Sequence, residues 1–188
     1  MGLFSLEHSK AAYRLDFAVY GAAVAALAVV LLVAAPREQG WQIVALVLLG
    51  LASWTAIEYA LHRFVLHGLQ PFSRWHAEHH QRPQALICAP TLVSASLIAA
   101  LIFLPALLMG GVWRGCALTL GVLTGYLAYA ITHHATHHWR SHNAWLQRRK
   151  RCHALHHHAA LEPGGYGVTS AFWDHVFRSI PRAGTPAG

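Results

Sequence analysis

The chain has 188 residues, a length suited to one domain, and it is 55% hydrophobic but only 11% charged. Soluble domains carry about 25% charged residues, so this composition, with a mean hydropathy of +0.37, excludes an ordinary soluble protein and points to a bilayer. The net charge of +7 comes from 14 lysines and arginines against 7 carboxylates; in a bilayer-bound chain that excess is topogenic, and no nucleic-acid partner is expected. Cys88, Cys116 and Cys152 form no C-x-x-C pair and no even framework, so free thiols are expected.

Four apolar stretches follow along the chain. The first, residues 17–35, comes after a polar segment and stops at Pro36-Arg37-Glu38-Gln39-Gly40. It shows no small-residue cleavage site, so it reads as a span rather than a signal peptide. The second, 41–60, runs up to His62; the third covers 90–109 and the fourth 112–132, on either side of Gly110-Gly111. Each approaches the roughly 20 residues needed to cross the hydrocarbon core. The predicted fold class is an all-α integral membrane protein with about four transmembrane helices and tight hairpins at 36–40 and 110–111. Residues 1–180 read as one membrane-embedded domain, with 181–188 a short C-terminal tail.

Four spans place both termini and the 61–89 loop on one side. That side holds Lys10, Arg14, Arg63, Arg74, Arg82, Arg140, Arg148, Arg149, Lys150, Arg151, Arg178 and Arg182, against Arg37 and Arg114 on the other. The bias makes the first side cytoplasmic. It also carries all 16 histidines, most of which form a predicted cytoplasmic helical cap on a multi-pass protein.

These histidines come in bursts: His62-Arg-Phe-Val-Leu-His67, His76-Ala-Glu-His79-His80, His133-His134-Ala-Thr-His137-His138 and His153-Ala-Leu-His156-His157-His158. On a helix, positions i, i+3 and i+4 share a face. His76, His79 and His80 therefore converge, as do His153, His156 and His157, and His133 pairs with His137. His62 and His67, five apart, suit a distorted helix end or two neighbouring metals. The ten form a candidate ligand set for two ions, four or five nitrogens each. His134, His138 and His158 adjoin better-placed neighbours, and His8, His142 and His175 read as interfacial.

The 7 carboxylates contain no Glu-x-x-His pair, which argues against a carboxylate-bridged site. Imidazole suits zinc, copper, iron and nickel alike, but zinc supports no redox chemistry. The chain has no G-x-S-x-G nucleophile motif. Iron-dependent attack by oxygen on a lipid C–H bond fits a site beside the bilayer.

The ordered bursts, with Glu58-Tyr59-Ala60-Leu61-His62-Arg63-Phe64 and the run Gly165-Tyr166-Gly167-Val168-Thr169-Ser170-Ala171-Phe172-Trp173-Asp174, resemble the membrane fatty acid hydroxylase and sterol desaturase superfamily. The similarity covers roughly 50–178 and is greatest to fatty acid 2-hydroxylases. It implies a non-haem di-iron site of two iron ions, with zinc as a substitute in a purified sample. It also implies molecular oxygen as co-substrate, a lipid substrate and an external electron donor protein. Carried over, the ligands are the same ten: His62, His67, His76, His79, His80, His133, His137, His153, His156 and His157. The cytochrome b5 domain of some members has no counterpart here, so the reductant is expected to be another protein. Carotenoid hydroxylation and lipid desaturation share this chemistry; a membrane metal transporter or metal-storage protein is the alternative from another class.

Some neighbours have two readings. Glu58 either orients His62 or snorkels at the interface. Tyr166, Thr169 and Trp173 either line a substrate entrance or form an aromatic belt. The run Arg148 to Arg151 is topogenic, contacts headgroups or docks an acidic donor.

Overall fold

The computed structural model describes residues 7–158 and 164–181; Glu162, Arg182 and the rest of the C-terminal tail lie outside them. Among the described residues seven α-helices follow in order: α1 (Lys10–Ala34), α2 (Gly40–Ala60), α3 (Phe72–Gln81), α4 (Thr91–Ile98), α5 (Leu104–His138), α6 (Ala144–His158) and α7 (Phe172–Val176). Two π-helical segments, Leu61–Leu66 and Ala99–Phe103, extend α2 and join α4 to α5.

Three helical stretches among the described residues are long and apolar enough to cross a membrane: Lys10–Ala34, Arg37–Leu66 and Thr91–His138. Their most apolar windows bury only 11%, 22% and 6% within the chain. Large side chains such as Leu32, Val33, Leu108 and Met109 are exposed. So much exposed apolar surface exceeds what a soluble monomer leaves uncovered, and makes this a membrane protein.

The chain divides into two compact units. The first comprises Met1–Trp54 and Ala85–Leu127. Its first helix starts earlier than the apolar run alone predicts, because Ser9 caps it by accepting from the Ala12 N–H at 3.2 Å. Asp16 thereby lies inside a span, where it is buried and accepts the Thr91 hydroxyl at 2.6 Å. One turn on, the Tyr20 hydroxyl meets Ser94 Oγ at 2.7 Å. Pro36 ends α1 by holding Ala35 extended (φ −72, ψ 144). Leu31, Cys116 and Ala117 form the buried core of this unit, packed by Leu27, Ile43, Val47, Phe103 and Trp113. Gly50 and Gly121 meet where two backbones cross: a Cβ built on Gly121 would lie 2.9 Å from Gly50 Cα and 2.8 Å from Leu51 N.

The stretch Thr91–His138 has 48 residues and contains both the third and the fourth predicted apolar runs. It breaks at Gly111, whose φ of 77 and ψ of 176 are non-helical. A Cβ on Gly115 would sit 3.1 Å from Leu107 N, although eight residues of straight helix would separate these positions by roughly 12 Å. The chain therefore folds back at Gly111. Only glycine adopts this backbone region without strain, at about 1–3 kcal/mol for other residues. Gly111→Ala is expected to lower stability by about that amount, read as an earlier thermal unfolding midpoint in detergent.

Cys88, Cys116 and Cys152 are free, as expected. Burial pushes the Cys88 thiol up to about 12, with Asp16 adding to the shift, so it stays protonated and unreactive.

The second unit comprises Thr55–Gln84 and Ala128–Gly188. It holds the end of α2 with its π-helical extension, α3, the last turns of α5, then α6 and α7. All four histidine bursts belong to it.

Candidate metal centre

The bursts are placed by local helical geometry. The five-residue interval between His62 and His67 matches the π-helical extension Leu61–Leu66, in which the His67 N–H donates to His62 O at 3.2 Å. A π-turn bonds i to i+5, and it brings these two rings within 5.2 Å of each other. The distorted helix end expected from the spacing is therefore a specific structure. His76, His79 and His80 share a face of α3, while His153, His156 and His157 share one of α6.

The rings gather into two groups. Ligand atoms of His62, His67, His76, His80 and His156 lie within 4.8 Å of one another, and so do those of His79, His133, His137 and His153. The groups adjoin: the His76 ring is 5.7 Å from His79, and His153 is 5.9 Å from His156. His157, the tenth candidate, falls in neither group but touches both. Its ring stacks on His80 at 4.1 Å, and its Nε2 lies 3.1 Å from His153 Nε2. Both groups are made of imidazoles alone, as the scarcity of carboxylates led us to expect. In the third burst, His133 and His137 turn into the cluster, whereas His134 and His138 stack on each other at 4.5 Å outside both groups.

The protonation pattern suits cations. His62 Nδ1 lies 2.6 Å from Tyr166 O, and His156 Nδ1 lies 2.8 Å from Gly164 O. A carbonyl only accepts, so both Nδ1 atoms carry the proton and both Nε2 lone pairs point into the cluster. There the nitrogens crowd together: His62 Nε2 to His76 Nε2 is 2.9 Å and His76 Nε2 to His80 Nε2 is 3.0 Å. His67 to His156 is 3.1 Å, His79 to His133 is 3.1 Å and His137 to His153 is 2.8 Å, all between Nε2 atoms. One ring proton cannot satisfy so many opposed lone pairs. A metal cation would, and the residues fit one in each group.

Burial keeps the rings neutral. Desolvation, reinforced by neighbouring imidazoles, lowers His67 and His79 to about 4, His157 to about 3 and His80 to about 2. His76, His153 and His156 shift in the same direction, again mainly through desolvation. Neutral imidazole is the metal-binding form.

Around the cluster the structure revises several readings. Glu58 is buried at 3% exposure, which removes the snorkelling reading. Its carboxylate takes the backbone N–H groups of Val168 and Thr169, at 2.6 and 2.9 Å, and the Thr169 hydroxyl. It therefore bears on His62 through the segment carrying Tyr166. Tyr166 is buried, with its ring 5.7 Å from His62, 5.4 Å from His67 and 5.6 Å from His156, so it packs on the histidines instead of joining a belt. Trp173 Nε1 donates to Thr55 Oγ1 at 3.1 Å. The basic run is split: Arg149 is buried and donates to Gly167 O at 3.4 Å and Cys152 Sγ at 3.6 Å, while Lys150 Nζ donates to Trp139 O. Arg148 and Arg151 are exposed. Sequence reasoning gave no role to the Gly164 and Tyr166 carbonyls or to the buried Asp174, although Asp174 closes the Gly165–Asp174 run that carried the resemblance.

The fatty acid hydroxylase profile matches residues 47–179, a stretch that holds every residue of both groups. The chain belongs to the fatty acid hydroxylase family. A dihydroceramide fatty acyl 2-hydroxylase of Arabidopsis thaliana is 35% identical over 151 residues, covering 74% of this chain and 62% of that protein. A ceramide very long chain fatty acid hydroxylase of Schizosaccharomyces pombe is 33% identical over 143 residues, covering 69% and 40%. The human fatty acid 2-hydroxylase is 29% identical over 147 residues, covering 72% and 39%. The chain thus spans less than two thirds of these relatives. A solved structure described as full-length scs7p, with only the hydroxylase domain visible, matches this family member with a TM-score of 0.76 at 26% identity, covering 92% of this chain and 68% of that one.

Proposed function

We propose that this chain hydroxylates a C–H bond of a membrane lipid, of fatty acyl or ceramide type, using molecular oxygen and electrons from a separate donor protein. Two iron ions are held by the ten-histidine set. His62, His67, His76, His80 and His156 hold one; His79, His133, His137 and His153 hold the other, with His157 completing it. Bound iron supplies the redox chemistry that activates oxygen, which zinc in the same nitrogens does not. The observation that carries this reading is the convergence of two adjoining all-imidazole groups in a member of this family.

The chain's own residues make the site. The Gly164 and Tyr166 carbonyls fix the protons of His156 and His62 on Nδ1 and leave their Nε2 atoms to the metal. Burial keeps protons off the other rings. Tyr166 covers one side of the five-histidine group with an aromatic face. The apolar helical surfaces keep the protein in the bilayer, where its substrate dissolves. The backbone reversal at Gly111 supports four crossings, and the basic bias supports a cytoplasmic face for the termini and the histidines.

The test is turnover by protein in liposomes, supplied with oxygen and a reduced electron donor. A ceramide or fatty acyl lipid that gains the mass of one oxygen atom is the expected product. Loss of two hydrogens would assign desaturation instead. Metal crossing the liposome without oxygen consumption would contradict an oxygenase altogether.

A further inference from the structure

Residues 164–168 are all buried yet belong to no helix, so their backbone groups need partners that regular structure does not provide. Two carboxylates supply them. Asp174, only 1% exposed, accepts Tyr166 N at 3.0 Å on Oδ1 and Gly167 N at 2.9 Å on Oδ2, and Ser179 Oγ donates to Oδ1 at 2.8 Å. Glu58 takes the next two N–H groups, those of Val168 and Thr169. Four consecutive backbone donors thus end on two buried carboxylates. Gly165 N is held by Ser179 O at 2.7 Å. The carbonyls of the same segment, at Gly164 and Tyr166, receive the imidazoles of His156 and His62. Both of those rings belong to the five-histidine group.

We propose that Asp174 and Glu58 are a pair of positioning residues for one metal position and not the other. Neither ligates metal. Together they hold a short backbone segment whose two carbonyls set the tautomer and direction of His62 and His156, so the five-histidine position depends on them. The position built from His79, His133, His137 and His153 does not. This rests on the reading that each group holds a metal ion. The two positions are therefore unequal in a way that non-ligand substitutions reveal.

The test titrates cobalt(II) alone into purified full-length protein, followed by its ligand-field absorbance and by metal per chain. Wild-type protein is expected to bind two ions. Asp174→Asn and Glu58→Gln are each expected to weaken one position by roughly 10–100-fold, the usual cost of losing a group that orients a ligand, and to leave the other unchanged. Adding His156→Ala to Asp174→Asn should cost the weakened position less than the two effects summed, because both act there. Adding His153→Ala should remove the second ion as well. Ser179→Ala, which deletes one Asp174 contact together with the Ser179 contact to the Tyr59 hydroxyl at 2.9 Å, gives a milder form of the same selective loss should Asp174→Asn fail to fold. Two ions bound at wild-type affinity by Asp174→Asn and by Glu58→Gln would overturn the proposal. Equal weakening of both positions in well-folded variants would overturn it too, since the pair would then act on the fold as a whole. A wild-type chain that binds no cobalt would remove the metal-site reading itself, and this proposal with it.

Discussion

Alanine at His79 or at His156 is expected to abolish lipid hydroxylation, with turnover falling by more than roughly 100-fold, the upper range for a residue that merely orients a ligand. The two substitutions strike different groups, since His79 lies with His133, His137 and His153, and His156 with His62, His67, His76 and His80. Each should leave one metal per chain, and neither metal alone suffices. His134→Ala and His138→Ala provide the contrast: they have the same helical spacing as His133 and His137, but their rings stack on each other outside both groups. Their turnover should stay within about twofold of wild type, in line with surface substitutions away from a site. Parallel measurement of product formation and metal content in all four variants checks the whole pattern. Inactive His134→Ala protein that keeps only one metal per chain would show that the third burst is misassigned.

The second large effect is on stability. Gly121→Leu should destabilise the first unit by about 3 kcal/mol or more, above the usual cost of overpacking, which relies on side chains that can move aside. Here the obstacles are backbone atoms: the added Cβ alone would meet Val47 O, Leu51 N and Gly50 Cα. Small residues allow this close approach, and close approach is what holds helices together where lipid provides no hydrophobic drive. For a chain of this size the change corresponds to roughly 6–12 °C in Tm, measured by thermal unfolding in detergent. Replacement of an exposed apolar residue such as Leu32 by another should leave Tm unchanged.

Much of the site was legible because helical geometry is local. His76, His79 and His80 share a face of α3, and His153, His156 and His157 one of α6, as their spacing suggests. Each face is nevertheless divided between the two groups: His76, His80 and His156 fall in one, His79 and His153 in the other. The His62–His67 interval pointed to a distorted helix end, and the π-turn is that distortion. The preference for His133/His137 over His134/His138 did not come from spacing, since both pairs are four apart; the packing around the last turns of α5 decides which pair turns inward. How Glu58 acts was not legible for a related reason. Its nearest helical neighbour is His62, four residues on, yet its carboxylate reaches Val168, 110 residues away in sequence. Asp174 acts through irregular backbone, which has no periodicity to read. Among the spans, Gly110-Gly111 marked the reversal, whereas the early start of α1 at Lys10 depended on the Ser9 cap rather than on hydropathy.

The central claim is a histidine-held pair of iron ions that carries out the oxidation. Metal analysis of anaerobically purified protein, with lipid hydroxylation assayed before and after chelation and again after iron(II) is restored, tests it most directly. Two irons per chain, activity lost with the metal and recovered with iron but not with zinc, is the predicted result. Full hydroxylation by metal-stripped protein would contradict it.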